Sequence, residues 1–315
     1  MEGVLGLGMI SGPIVGSLLF GVGGGEEHIG FVLPFMVLGG IEALFAVFNL
    51  FLLPNLPLPP PKKPSLRKYS WKVVVPWLNC VVSGAGIGLL SPTMEPHLLP
   101  IMSVQTIGFV FAACCGCYTL AAPLVGCFDD ATSGRFALFC MALGNVITGV
   151  GYGLTAPVPL HWGGKEWSLG PAFVWPAACL IGAGLAFGLV PIYKQILQYA
   201  KHEDQEQRDV ASSALLTVSM STGAFLGPVL GGMLSEALGT RKTYIVAAVA
   251  FEVMAVVLLC FGLAPGFREP VAPLAAAPVN GAPVNGAAGD DLEGSTRSAR
   301  TVPLLPQQQQ QQQRQ

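Results

Sequence analysis

Two nine-residue segments share one spacing of glycine and proline, GMISGPIVG at Gly8–Gly16 and GAFLGPVLG at Gly223–Gly231. Glycines three or four positions apart clear one face of a helix for a neighbouring backbone, and the proline bends the helix beside that face. A template matched twice at every defined position indicates an internal repeat. We predict helix-packing and hinge motifs at Gly8, Gly12, Pro13 and Gly16 and again at Gly223, Gly227, Pro228 and Gly231.

The composition predicts a chain that folds in lipid. Of its 315 residues 52% are hydrophobic and only 11% are charged, too few to cover a soluble core. A net charge of -2 argues against a nucleic-acid partner. Seven of the eight cysteines lie in apolar runs without a suitably placed histidine, so we expect neither a metal nor a cofactor. We also expect no enzyme, because the H-E-x-x-H and G-x-S-x-G patterns are absent.

Eight apolar stretches reach or approach the roughly 20 residues that a helix needs to cross a bilayer. The expected fold class is therefore all-α, a polytopic membrane protein with eight transmembrane helices. Internal prolines such as Pro34 and Pro123 are tolerated in membrane helices, where neighbouring helices satisfy the freed backbone groups. The predicted spans are residues 4–22, 29–53, 73–92, 104–128, 136–157, 171–193, 211–238 and 243–263.

The distribution of lysine and arginine predicts the orientation. The connector after the second span carries five basic residues, Lys62, Lys63, Arg67, Lys68 and Lys72, and basic loops stay in the cytoplasm. An even number of crossings then places both termini on the cytoplasmic side. The tail repeats APVNG and ends in a glutamine tract, a composition typical of disorder.

The repeat extends beyond the glycines. The span after the first copy reads IEALFAVFNLFLLP and contains Glu42, and the span after the second copy reads FEVMAVVLLCFGLAP and contains Glu252. Spans one and two therefore correspond to spans seven and eight. An offset of six helices indicates a parent with two six-helix halves, an arrangement typical of transporters. We expect four preceding helices of that plan to be absent here.

These features resemble the major facilitator superfamily, whose drug and amine antiporters carry the Gly-Pro motif in the fifth helix. The loop GCFDDATSGR approximates the family's G-x-x-x-D-x-x-G-R hinge with one extra residue before Gly134. The segments LLSPTMEPHLL and GAGLAFGLVPIY are similar to the vesicular amine transporters, especially the polyamine branch. The monoamine members' aspartates in the sixth and seventh spans are absent, so monoamine chemistry does not follow from the resemblance.

The resemblance implies a major facilitator fold without the first four of twelve helices. Its parts would be the last two helices of the amino-terminal bundle (1–53), a cytoplasmic linker (54–72), the carboxy-terminal six-helix bundle (73–265) and a disordered tail (266–315). It implies proton-coupled antiport of an organic cation across a secretory or synaptic-type vesicle membrane, and both polyamine and monoamine stay open as the cation. The expected partners are the cation, protons and the lipid bilayer.

Polar residues inside spans are candidates for substrate or proton binding, because a charge in the bilayer costs a few kcal/mol. Glu42 and Glu252 could bind a proton or an amine, or could form a structural pair inherited from the repeat. Glu95 could recruit substrate or be a water-exposed loop residue, and Asn79 and Tyr193 could bind ligand or join helices. We expect Asp130 and Arg135 to form a conformational gate.

A chain without part of the cavity would be inactive alone. The alternative function is that of a non-transporting membrane partner that modulates a full-length carrier.

Overall fold

The apolar stretches form helices in a computed structural model that describes residues 2–24, 28–52, 69–132, 136–156, 160–162, 165–167, 171–200 and 205–264. The predicted disordered tail, most of the linker and Arg135 lie outside this part of the chain. Within it, the helices are α1 (Glu2–Val22), α2 (His28–Leu52), α3 (Val74–Leu98), α4 (Val104–Ala131), α5 (Ala137–Thr155), α6 (Val174–Leu189), α7 (Ile192–Tyr199), α8 (Gln205–Leu238) and α9 (Thr240–Leu263).

The predicted fold class is confirmed: the described chain is helical, and several of its helices are long and apolar enough to cross a membrane. By length and composition, seven helical segments in the described ranges could cross a bilayer, with α6 and α7 counted as one segment. The apolar part of α1 is shorter, Gly8–Val22. A small antiparallel hairpin, β1 (Leu160–Trp162) with β2 (Lys165–Trp167), follows α5 and was not predicted from the sequence.

Glycines set the closest helix contacts of the bundle. A Cβ atom placed on Gly144 of α5 would lie 2.6 Å from the carbonyl oxygen of Gly184 on α6. Gly182 of α6 abuts the carbonyl group of Cys114 on α4 in the same way. In both places backbone meets backbone, which only small residues permit. The resulting neighbours are α5 with α6 and α9, α4 with α6 and α1, and α3 with α8.

The third span is longer than predicted. The apolar stretch predicts an end at residue 92, whereas α3 continues through Pro92 and Pro96 to Leu98. Each proline removes a single N–H donor and holds φ near the helical value, so a helix packed by its neighbours continues through it. Glu95 therefore lies in the last turn of a helix rather than in a loop.

The sixth span is interrupted. Helix α6 ends at Leu189 and the amphipathic α7 begins at Ile192, with Pro191 between them. The end of α7 meets the described end of the linker, because the amide N–H of Ser70 donates to the carbonyl of Tyr199 at 3.0 Å. This contact places α7 beside the start of α3, at the end of the bundle where the basic linker enters.

The two copies of the repeat share their turns as well as their helices. Gly24 follows α1 with φ 92°, and Gly239 follows α8 with φ 86°. Residues other than glycine rarely adopt this left-handed conformation. Each Gly-Pro helix is thus followed by a glycine-dependent turn and a second apolar helix, α2 or α9.

Candidate substrate and proton site

The second copy of the Gly-Pro motif forms the contact between α8 and α3. Cβ atoms on Gly223 and Gly227 would lie 2.8 Å from the backbone nitrogens of Ala85 and Leu89 respectively. A Cβ on Gly88 of α3 would lie 2.9 Å from the carbonyl oxygen of Ala224 in return. The second copy of the motif therefore brings α8 and α3 into backbone contact.

The first copy of the motif lies on a free face. Cβ atoms on Gly8, Gly12 and Gly16 of α1 would meet no atom of the described residues within 4 Å. Helix α1 contacts α4 through a different side, where a Cβ on Gly108 would lie 3.0 Å from the carbonyl oxygen of Pro13. The glycines of the motif thus touch another helix in the second copy and no described neighbour in the first, although Pro13 reaches α4.

Asn79 lies at the centre of a buried polar network. Its Nδ2 donates to the carbonyl of Gly188 at 2.9 Å, and its Oδ1 accepts from Nδ2 of Asn145 at 2.7 Å. Nδ2 of Asn145 also donates to the carbonyl of Met141 at 2.7 Å. Gly188 belongs to the last turn of α6, where carbonyls lack an intrahelical donor. The network thus joins α3 and α5 to the interrupted sixth span.

Glu252 lies at the seam between α9 and α5. A Cβ on Gly149 of α5 would lie 2.7 Å from its Oε1 and 3.1 Å from the carbonyl oxygen of Ala248. The carboxyl group therefore rests directly on a glycine, and the side chain is half-buried. Gly149 follows Asn145 by one helical turn, so the Glu252 carboxyl group lies against α5 one turn beyond the Asn145 side chain.

Glu42 lies on an uncovered helix. Every residue of α2 from Leu38 to Leu52 is exposed, and α2 packs chiefly against α1. Its counterpart Glu252 has α5 beside it, whereas no described helix stands in that place for Glu42. The equivalence of the two glutamates in the repeat therefore does not extend to their surroundings in this chain.

The remaining two binding candidates lie at opposite ends of the bundle. Glu95 is exposed in the last turn of α3, far from the linker. Tyr193 is half-buried on α7, beyond the break in the sixth span and near the linker. The structure does not gather the five candidates into one pocket, and only Asn79 and Glu252 are connected, through α5.

The gate candidate Asp130 forms an ion pair at the end of α4, and Arg135 lies outside the described residues. Nζ of Lys194 on α7 contacts Oδ1 of Asp130 and lies 3.2 Å from Oδ2 of Asp129. The Asp129 side chain is only 2% exposed, against 71% for Asp130. Asp129 and Lys194 were missed because the family spacing selects Asp130 and because α7 could not be foreseen as a separate helix.

The comparisons with known proteins agree with this architecture. The family model of the Major Facilitator Superfamily matches residues 76–305. This chain belongs to the Major Facilitator Superfamily. The family predicted from the Gly-Pro repeat is therefore confirmed.

The chain is similar to several named transporters. It is 30% identical over 255 residues to the human "MFS-type transporter SLC18B1", which covers 76% of this chain and 51% of that protein. The mouse SLC18B1 is 31% identical over 251 residues, with the same coverage. The "Multidrug resistance protein MdtG" of Escherichia coli is 28% identical over 202 residues, 61% of this chain and 43% of that protein. The chain thus spans about half the length of these relatives.

Proposed function

We propose that this chain forms part of a proton-coupled antiporter that moves organic cations, polyamines or monoamines, into vesicles. The observation that carries the proposal is the similarity to SLC18B1 over 76% of the chain. The relatives are named as transporters, and a membrane bundle with buried polar groups and mid-span carboxyl groups suits that activity.

Glu252 is the proposed proton-binding residue of the described bundle. Its carboxyl group is half-buried in the middle of α9, where a negative charge is costly without a cation or a proton. If a proton and an ammonium group exchange at Glu252, its carboxyl group is either protonated and neutral or ionised and paired with the cation. The neighbouring network of Asn79 and Asn145 supplies neutral polar groups one helical turn away.

Glu42 is proposed for the equivalent role on α2. Its exposure in this chain leaves room for a further helix, as α5 stands beside Glu252. If both glutamates prove dispensable for transport, they serve helix packing instead, which is the alternative left open by the sequence.

The ion pair of Lys194 with Asp129 and Asp130 is the proposed cytoplasmic gate. It joins α4 to α7 at the linker end of the bundle, whereas substrate groups in the membrane centre lie several turns away. We expect it to stabilise one conformation of the carrier without touching substrate. Arg135 is proposed as a further cation of this gate.

The test is a reconstitution experiment. The chain alone, and a fusion that places the first four helices of human SLC18B1 before residue 2, are inserted into liposomes with an acidic interior. We expect the fusion to accumulate labelled spermidine or serotonin and the chain alone to be inactive. Failure of a correctly folded fusion to move either amine under any gradient would overturn the proposal.

Two matched variants of the fusion, Glu252→Gln and Glu42→Gln, then separate the roles of the glutamates. Loss of gradient-driven uptake with retained amine exchange identifies a proton-binding residue. Full activity in both variants assigns the glutamates to packing.

A second candidate function is a non-transporting partner of a full-length carrier. The observation that favours it is the uncovered glycine face of α1 together with the exposed α2. Co-expression of the chain with a full-length SLC18B1, followed by affinity purification, tests it. We expect co-purification that decreases when Gly12→Leu blocks the α1 face; equal recovery with both forms would contradict this function.

A further inference from the structure

The last turn of α3 contains a histidine that joins three helices. Nε2 of His97 lies 3.3 Å from the carbonyl oxygen of Thr155, the last residue of α5. The imidazole also meets the ring of Tyr244 on α9 edge to face, with centroids 5.5 Å apart. Tyr244 in turn lies beside Tyr152 of α5. His97 therefore connects α3, α5 and α9 at the end of the bundle far from the linker.

The acceptor at Thr155 decides which ring nitrogen carries the proton. A carbonyl oxygen can only accept, so Nε2 is the donor and the neutral ring has an unprotonated Nδ1. Histidine is the side chain whose charge normally changes between about pH 5 and 8. Uptake of a proton at Nδ1 would place a full positive charge where three helix ends meet.

Two features near His97 act in opposite ways on a positive charge on its ring, one attracting it and the other repelling it. His97 and Thr155 lie at the carboxyl ends of α3 and α5, where the helix dipoles attract a cation. On α9, Arg241 lies one helical turn before Tyr244, whose ring packs on the imidazole, so its guanidinium repels a charged His97. In the last turns of α3 and α5 and the first two turns of α9, the other ionisable side chains are exposed Glu95 and Lys242 and buried Tyr152 and Tyr244. Glu252 lies further along α9.

We propose that His97 is a pH-sensitive link whose protonation loosens the start of α9 from α3 and α5. In the neutral state the ring packs on Tyr244 and holds the three helices together. In acid the imidazolium keeps its hydrogen bond to Thr155 and repels Arg241. The first turn of α9 then moves away, which opens the end of the bundle opposite the linker.

The physiological meaning of this link rests on the proposed function. In a vesicular antiporter that end faces an acidic lumen, so the proton gradient would favour opening on the lumenal side. The structural response to pH does not depend on transport, and it can be measured on the purified chain.

The experiment uses a reporter at Thr243, which is buried on α9 just after Arg241. The full chain carrying Thr243→Cys is purified in detergent and treated with a membrane-impermeant maleimide at about pH 7.5 and pH 5.5. The same substitution is prepared with His97→Gln, which keeps an N–H donor but does not titrate. Labelling of the chain without the reporter is subtracted to correct for the native cysteines. The ratio of the labelling rates of the two reporter chains at one pH then cancels the intrinsic pH dependence of the thiol.

We expect similar labelling rates at pH 7.5. In acid, labelling with His97 should exceed labelling with His97→Gln by up to about fivefold, the factor that corresponds to a repulsion of about 1 kcal/mol between neighbouring unit charges in water. Arg241→Gln should abolish this difference, and as an exposed position it should leave folding intact. Equal ratios at both pH values, or an acid-induced difference that persists in Arg241→Gln, would overturn the proposal.

If His97→Gln does not give a folded chain, His97→Asn provides the second non-titrating variant. A failed transport assay with a positive labelling result would reject the antiporter while retaining the pH-sensitive link.

Discussion

Nδ2 of Asn145 on α5 lies 2.7 Å from Oδ1 of Asn79 on α3, and both side chains are almost completely buried. Asn79 uses its own Nδ2 for the carbonyl of Gly188, so its amide group acts as donor and acceptor at once. Two neutral side chains thereby connect three helices. Each depends on the other for a partner, which makes their contributions to stability coupled.

We predict that Asn79→Ala lowers the stability of the purified chain by about 1–2 kcal/mol, because it leaves the Gly188 carbonyl and one N–H of Asn145 unpaired. Asn145→Ala should cost less, since it removes only one partner of Asn79. In a double-mutant cycle followed by thermal unfolding in micelles, the double variant should cost less than the sum of the single variants. Simple additivity would contradict a direct interaction.

The two Gly-Pro motifs should respond differently to the same substitution. Gly227→Ala places a methyl group against Ala85 and Leu89, and overpacking of this kind costs about 1–3 kcal/mol. Gly12→Ala occupies the equivalent position on α1 and meets nothing, so it should be neutral or stabilise the helix by about 0.5–1 kcal/mol. Melting temperatures of the two variants in the same detergent test this. Equal losses would show that α1 is covered.

Lys194 should contribute more to stability than its position on the surface suggests. Lys194→Met leaves the buried Asp129 without its cation, and loss of one partner of a buried pair costs about 3–5 kcal/mol, less here because Lys194 is 39% exposed. Asp130→Asn should cost under about 1 kcal/mol, because Asp130 is largely exposed. Lys194→Met combined with Asp129→Asn should recover much of the loss, as measured by thermal unfolding. No recovery would place the effect of Lys194 elsewhere.

The two mid-span glutamates should differ in their reaction with a hydrophobic carbodiimide, which modifies protonated carboxyl groups from the lipid phase. Glu42 is exposed on α2 and should react faster than Glu252, which is half-buried against Gly149. Peptide mass spectrometry after short exposures measures both rates, and Glu42→Gln and Glu252→Gln identify the modified peptides. Faster modification of Glu252 would mean that α2 is shielded in micelles.

The sequence predicted the helices well because membrane spans are long continuous apolar stretches, and most boundaries agree within a few residues. The sequence-based prediction was wrong where the ends of a helix do not coincide with the ends of an apolar stretch. The third span continues past Ser91 because proline tolerates helical φ, although the apolar stretch has ended. The break at Pro191 could not be distinguished from Pro123 or Pro228, which remain inside helices.

The candidate site was less predictable because its contacts are distant in sequence. Asn79 was selected as a polar residue in a span, but its partners lie 66 and 109 positions away. Asp129 and Asp130 are adjacent, and only the folded structure shows that Asp129 is the buried one. Periodicity and motif spacing identify candidate residues, whereas the partners with which these residues pair become known only from the folded structure.

The glycine contacts inside the bundle have a mechanical consequence. Where Gly182 abuts Cys114, and where Gly227 abuts α3, no layer of side chains separates the helices. Rotation or sliding at these seams would force backbones to collide, so these helices must travel together. We expect α4 with α6, and α3 with α8, each to turn as a solid pair, with displacement left to the helix contacts that side chains separate.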